Sequence, residues 1–95
     1  MMVVWSPQAK RDYWQNIDYL ELKWSIQDVL NFIEKVDYTI QLIAKNNTLF
    51  TTTNYKSVHK VVITKQITLY YRITSTNIEL LRFWNNYQDL ENFKL

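Results

Sequence analysis

The stretch SVHKVVITKQITLYYRITSTNIELLRFW, residues 57–84, leaves few alternatives to a small antiparallel sheet. Val, Ile, Thr and Tyr favour a pleated, half-buried surface, and they crowd into three runs, Val58–Ile63, Ile67–Ile73 and Ile78–Phe83. The connections Thr64-Lys65-Gln66 and Thr74-Ser75-Thr76-Asn77 are short and polar, so consecutive runs pair as a meander. The middle run alternates. Ile67, Leu69, Tyr71 and Ile73 fall on one face, and Thr68, Tyr70 and Arg72 on the other. Such a sheet has one face for a core and one that can meet a partner. The open face is expected to carry Lys60, Tyr70, Arg72 and Arg82.

The residues before the sheet read as cover for its apolar face. Met2–Trp5 is a short apolar run, expected to be a first strand that joins the sheet at an edge. Ser6-Pro7 reads as a helix start, with Ser at the N-cap and Pro at a position whose missing donor is not needed. The spacing of Ala9, Tyr13, Ile17 and Leu20 predicts a helix to about Lys23. Ser25 and Asp28 form a looser capping box for a second helix to about Lys45, with Ile26, Val29, Leu30, Ile33, Val36, Ile40 and Ile43 as its stripe. A connection this short, at Lys23-Trp24, implies an antiparallel helical hairpin. Trp5, Trp14 and Trp24 are expected to pack. Asn46–Lys56 reads as a loop tucked down by Leu49 and Phe50, and Asp89–Leu95 as a short terminal helix. The order is β-α-α-β-β-β with a short tail, in a single domain over residues 1–95. Its class is α+β, a helical hairpin packed on one face of a small antiparallel sheet.

Composition removes whole classes of chemistry. The chain has no glycine, hence no glycine-rich phosphate cradle, and its turns must use Asn, Thr, Ser and Lys. It has no cysteine, hence no disulfide and no thiolate, which fits a reducing compartment. A single histidine, His59, cannot build a histidine-rich metal site, and no cofactor or metal is expected. Asp12, Asp18 and Glu21 spread around the first helix rather than converge. No apolar run approaches a membrane span and the N-terminus lacks a signal-peptide pattern, so a cytoplasmic protein with no membrane partner is expected. The net charge is only +2, but residues 54–82 hold five basic side chains against Glu79 alone. An anionic partner would meet the sheet.

Three phrases carry a resemblance. "VVWSPQAKRDYWQNIDYLELKWS", "HKVVITKQITLYYRI" and "IELLRFWNNYQDLENF" are, in that order, similar to the opening, the central hairpin and the last strand and tail of the RelE/ParE superfamily of type II toxin–antitoxin toxins, closest to its ParE-like branch. The resemblance implies a small bacterial growth inhibitor, of the kind associated with plasmid stabilisation. A cognate antitoxin would wrap it with a helix and extended segments, in a toxin–antitoxin hetero-oligomer. Its target would be DNA gyrase or, in the mRNA-cutting branch, the ribosome and its mRNA. One departure stands out. Where "FWNNYQD" stands, the family commonly has arginine before Gln-Asp, and here that residue is Tyr87.

RNA cleavage needs a base for the 2′-hydroxyl, cations for the crowded phosphate and an acid for the leaving oxygen. Lys60, Arg72, Arg82 and Tyr87 are the catalytic candidates. His59 is a further source of a proton, but alternation puts it on the face opposite Lys60. Tyr70, Trp84, Lys65 and Gln88 are the candidates for contact with an antitoxin or target. The plainer reading of the same residues is an ordinary solvated sheet face. Loss of the arginine at Tyr87 favours a gyrase-directed toxin without nuclease activity. A ribosome-dependent mRNA endonuclease and a degenerate, non-toxic binding module are the alternatives.

Overall fold

A computed structural model of the chain describes residues 1–46, 49–88 and 90–95. The elements are β1 (Met2–Trp5), α1 (Pro7–Lys23), α2 (Ile26–Asn46), β2 (Thr51–Thr52), β3 (Val58–Thr64), β4 (Ile67–Ile73), β5 (Asn77–Asn85) and a 3₁₀ turn, Leu90–Asn92. The sheet order is β1-β5-β4-β3-β2. β3, β4 and β5 form the antiparallel meander, and β1 joins β5 in parallel. A parallel partner needs a crossover, which the helical hairpin and the meander together supply.

Both helix starts form as their sequences predict. The Ser6 hydroxyl accepts from the Ala9 N–H at 2.9 Å. Ser25 and Asp28 close their capping box reciprocally: the Ser25 N–H donates to Asp28 Oδ2 and the Asp28 N–H to Ser25 Oγ. The main core holds Ala9, Ile17 and Leu20 of α1, Val29, Phe32, Val36 and Ile43 of α2, and Ile67, Leu69, Tyr71, Ile78, Leu80 and Phe83 of the sheet. The α2 stripe sits further round the helix than expected. Phe32 is fully buried, whereas Ile26 and Leu30 are exposed, and its large ring meets Tyr13 across the hairpin and Phe83 of the sheet. Trp5 packs against Tyr13 and Phe83, whereas Trp14 and Trp24 stand exposed, against expectation. Leu49 is also exposed; Phe50 packs against the core, and its N–H donates to the Tyr71 hydroxyl at 3.0 Å. That loop contributes the two-residue strand β2, and Asn47 and Thr48 within it lie outside the described residues. Without glycine, the turn before β3 puts Ser57 at φ 62°, a left-handed conformation that costs a non-glycine residue about 1 kcal/mol.

β5 carries a bulge. Tyr70 pairs with Arg82 but Tyr71 with Leu80, so Leu81 is the extra residue. The bulge moves the core position after Leu80 from Arg82 to Phe83. Beyond Trp5 the edge of β5 has no strand beside it, and α1 takes over. The Ser6 hydroxyl donates to the Leu81 carbonyl, Asp12 Oδ2 accepts from the Phe83 N–H, and Asn16 Nδ2 donates to the Phe83 carbonyl. Asp12 also accepts from Arg82, at 2.6 Å from Nε and 3.0 Å from Nη2. Asp12 is therefore a buried tie between helix and sheet, not a surface carboxylate.

The outer sheet face is not open. Val58, Tyr70 and Trp84 are buried there, with Leu81 and Phe93 packed against them. The Phe93 ring lies 4.5 Å from Tyr70 and 5.0 Å from Trp84, and the Lys94 carbonyl accepts from Arg82 Nη1. The tail thus folds back over the outer face of the sheet. Its helix is one 3₁₀ turn, and Asp89, the first residue of the expected helix, lies outside the described residues.

Two outcomes follow from this packing. Asp12→Ala should lower the unfolding free energy by about 3 kcal/mol, because it strips the partner from a largely buried guanidinium and from a buried N–H. Urea unfolding measures this, and a loss below about 1 kcal/mol would mean that other contacts close the β5 edge. Burial raises the phenols of Tyr13, Tyr70 and Tyr71 above the ordinary 10.0, aided by Asp37 at Tyr13 and by Tyr55 at Tyr70 and opposed by the Phe50 N–H at Tyr71. The unfolded chain then loses these protons first. The stabilisation is complete below pH 10 and is lost as pH rises through the folded-state values. Phe93→Ala should bring Tyr70 back toward 10.0 while Tyr71 keeps its shift, as read by ultraviolet titration.

Candidate functional site

The pairing registers lay out the outer face as cross-strand rows. Thr51, Lys60, Tyr70 and Arg82 form one row across β2, β3, β4 and β5. Val62, Thr68 and Trp84 form the row on one side of it, and Val58, Arg72 and Glu79 the row on the other. Strands lie about 4.8 Å apart, so the backbones of Lys60 and Arg82 are about 10 Å apart with Tyr70 between them. The expected set of Lys60, Tyr70, Arg72 and Arg82 does share one face. His59 is on the other, stacked on Tyr71 at 5.6 Å, and its buried Nδ1 has no hydrogen-bond partner among the described residues.

The cations on this face have different surroundings. Arg82 is engaged on all sides, by both oxygens of Asp12, by the Lys94 carbonyl and by the Trp84 ring 5.2 Å below its guanidinium carbon. Arg72 lies 3.5 Å from Glu79, and both side chains are more than a third exposed. Such a pair contributes at most about 1 kcal/mol and is easily exchanged for another partner. Lys60 is exposed and stands on the ridge between two clefts. One, of about 370 Å³, is lined by Thr52, Thr53, Tyr55 and Phe93; the other, of about 390 Å³, by Phe50, Val62, Thr68 and Asn86. Lys60 and Tyr70 line both. The Tyr70 phenol, held neutral by burial, can donate a hydrogen bond but is a poor base.

The other candidates lie at one end of the sheet. Asn86 bonds Lys65 and Gln66 of the β3–β4 turn through its side chain and its N–H, which brings Lys65 beside the turn holding Tyr87 and Gln88. Tyr87 is exposed, and its N–H donates to Asn85 Oδ1. Gln88 lines a third cavity, about 210 Å³, between α1 and β5, together with Asp12, Asn16, Arg82 and Trp84. Tyr70 and Trp84 are buried beneath Phe93, so their rings are not the freely exposed platforms expected. Sequence reasoning missed Asp12, Asn16 and Phe93 as parts of this site. Asp12 and Asn16 do sit four residues apart on one helix face, but both look like ordinary surface polar residues until β5 is placed beside them.

The arrangement can hold an anion at Lys60, flanked by threonine hydroxyls and a phenolic donor. Among the described residues, it does not gather several unpaired cations around one point.

No protein-family model and no curated protein matches this sequence. Solved structures do match the fold. The chromosomal ParDE toxin–antitoxin system of P. aeruginosa superposes with a TM-score of 0.74 at 14% identity, over 90% of this chain and 95% of that one. The heterotetrameric YoeB–YefM toxin–antitoxin complex of Staphylococcus aureus gives 0.65 at 18% identity, over 92% and 98%. A YoeB/ParE toxin from Agrobacterium tumefaciens gives 0.64 at 15% identity, over 92% and 100%. Identities this low speak for architecture alone, and over 90% or more of its length the chain shares the fold of these solved toxin structures, the RelE/ParE fold.

Proposed function

We propose that this chain is the toxin of a type II toxin–antitoxin pair, which arrests growth by binding a cellular target and is neutralised by a cognate antitoxin. The shared fold supports the role, and the YoeB–YefM complex among its structural neighbours supports an antitoxin as partner. Within that role the chain acts as a gyrase-directed, ParE-like toxin and not as a nuclease. The observation that carries this is the state of Arg82. Its guanidinium is held by Asp12 and Lys94 and stacked on Trp84, so it is part of the frame and not a free cation for a scissile phosphate. With Arg72 next to Glu79, Lys60 is the one of the three candidate cations left without an acidic partner among the described residues, and stabilising a crowded phosphate usually takes more than one positive charge. The second reading, a ribosome-dependent mRNA endonuclease, draws on Lys60, Tyr70 and Arg72 sharing one face with two clefts beside them.

The test is induction of the chain in a bacterial host, alone and with the product of the adjacent gene. Arrest that the neighbour relieves is the expected result, accompanied by gyrase-dependent DNA breaks and intact mRNA. Lys60→Ala should then change toxicity by no more than a few-fold. A loss of about a hundredfold or more, with ribosome-dependent mRNA cuts in the parent, would transfer the assignment to the endonuclease. No arrest from soluble protein would leave a non-toxic binding module.

A further inference from the structure

Between the turn of the helical hairpin and the β3–β4 turn lies a cleft of about 210 Å³. It shares no lining residue with the two clefts beside Lys60. On one wall α2 presents Asp28, Asn31 and Lys35, whose spacings of three and four residues put them on one helix face. The other wall is the turn Thr64-Lys65-Gln66, and Trp24, 56% exposed, also lines the cleft. The turn is held in place by Asn86. Its side chain donates to the Lys65 carbonyl at 3.4 Å, and its N–H donates to the Gln66 carbonyl at 2.6 Å.

The hydrogen bonds made within these walls use up acceptors and leave donors. Asn31 Oδ1 accepts from Gln27 Nε2, which leaves the Asn31 NH₂ group. The Thr64 oxygen accepts from the Gln66 N–H, so its own hydrogen is available. Asp28 is the one acid of the lining, and its Oδ2 is committed to the N–H and the hydroxyl of Ser25 in the α2 cap. Lys35 and Lys65 are exposed and form no ion pair among the described residues. The indole of Trp24 has a donor and no acceptor. Two ammonium groups, an amide, a hydroxyl and an indole thus border one cleft, and the acceptors that would match them are few.

We propose that this cleft binds a nucleoside monophosphate, with the phosphate between Lys35 and Lys65 and the base against Trp24. A phosphate monoester offers acceptor oxygens and nearly two negative charges at neutral pH, which suits two lysines carried by separate elements. A carboxylate or a phosphodiester brings only one charge. Lysine meets phosphate as a point charge on a flexible stem, so the two side chains can close on it from opposite walls. The cleft is smaller than the pockets that enclose whole ligands, so the base lies at its mouth, where the exposed Trp24 ring gives it a face to stack on. A site this open binds weakly, with a dissociation constant on the order of 100 µM at low salt.

Nuclear magnetic resonance titration of the full chain tests the site, with adenosine 5′-monophosphate as the probe. The Trp24 indole N–H and the amides of Lys65 and Gln66 should shift together. Adenosine, ribose 5-phosphate and the 3′,5′-cyclic diester of the same nucleoside should each bind about tenfold more weakly, since they lack the phosphate, the base or the second charge. Lys35→Ala and Lys65→Ala should each weaken the monophosphate about tenfold without moving the urea midpoint, and Lys60→Ala should leave its affinity unchanged. Trp24→Leu should erase the advantage of the monophosphate over ribose 5-phosphate. A monophosphate that binds no tighter than ribose 5-phosphate or the cyclic diester, or an affinity that survives both lysine substitutions, would overturn the proposal. Binding lost in Lys60→Ala instead would place the nucleotide on the sheet face and refute this cleft. None of these readouts depends on toxicity, so they stand apart from the toxin assignment.

Discussion

A single carboxylate holds the two layers of this protein in register. Asp12, on the second turn of α1, accepts from the backbone N–H of Phe83 and from two nitrogens of Arg82. A buried carboxylate without partners would be strongly destabilising, and with three donors its lone pairs are satisfied. The constraint propagates. It holds α1 against the stretch of β5 that β1 leaves bare, keeps the Leu81 bulge in place, and turns the guanidinium toward the tail, where it reaches the Lys94 carbonyl. Ser6 and Asn16, before and after Asp12, complete the same edge. The helix therefore does the work of a further strand for a few residues, with side chains in place of a backbone ladder.

This tie also decides what the basic face can do. Positive charge is concentrated in residues 54–82, and the pairing registers gather much of it on one side of the sheet. Yet charge on a face is not a catalytic constellation. Arg82 is consumed by the fold, Arg72 is shared with Glu79, and Phe93 covers the aromatic rings that would stack a base or anchor a partner. What remains accessible is Lys60 between two clefts, together with the end of the sheet near Lys65 and Tyr87. Such a surface is better suited to recognition than to cleavage, and this is the physical ground for the binding role proposed above.

Exposed apolar side chains also stand on the hairpin and at the β1 edge. Leu22, Trp24, Ile26 and Leu30 stand out near the hairpin turn, and Met2, Val4 and Trp14 near the first strand. Patches of this kind on a small domain mark places where other chains bind. The two patches differ in one respect: β1, an edge strand, presents directional backbone groups as well as apolar side chains.

The sequence by itself determined the elements. Alternation in Ile67–Ile73, the caps at Ser6 and Ser25, and the short polar turns are local signals, and the structure realises them almost residue for residue. The core face of β4 follows from period two alone. Tertiary structure decided the rest. Nothing local says that α2 buries Phe32 in preference to Ile26 and Leu30, because both choices fit a helical stripe and only the position of the sheet distinguishes them. Nothing local distinguishes Asp12 from Asp18, since the difference is an N–H and a guanidinium 70 or more residues away. Period two cannot foresee the bulge at Leu81 either, or that Phe93 returns to cover Tyr70 and Trp84. Local periodicity specifies which way each side chain can point. Which of them are paired, covered or left free depends on neighbours that meet only when the chain has folded.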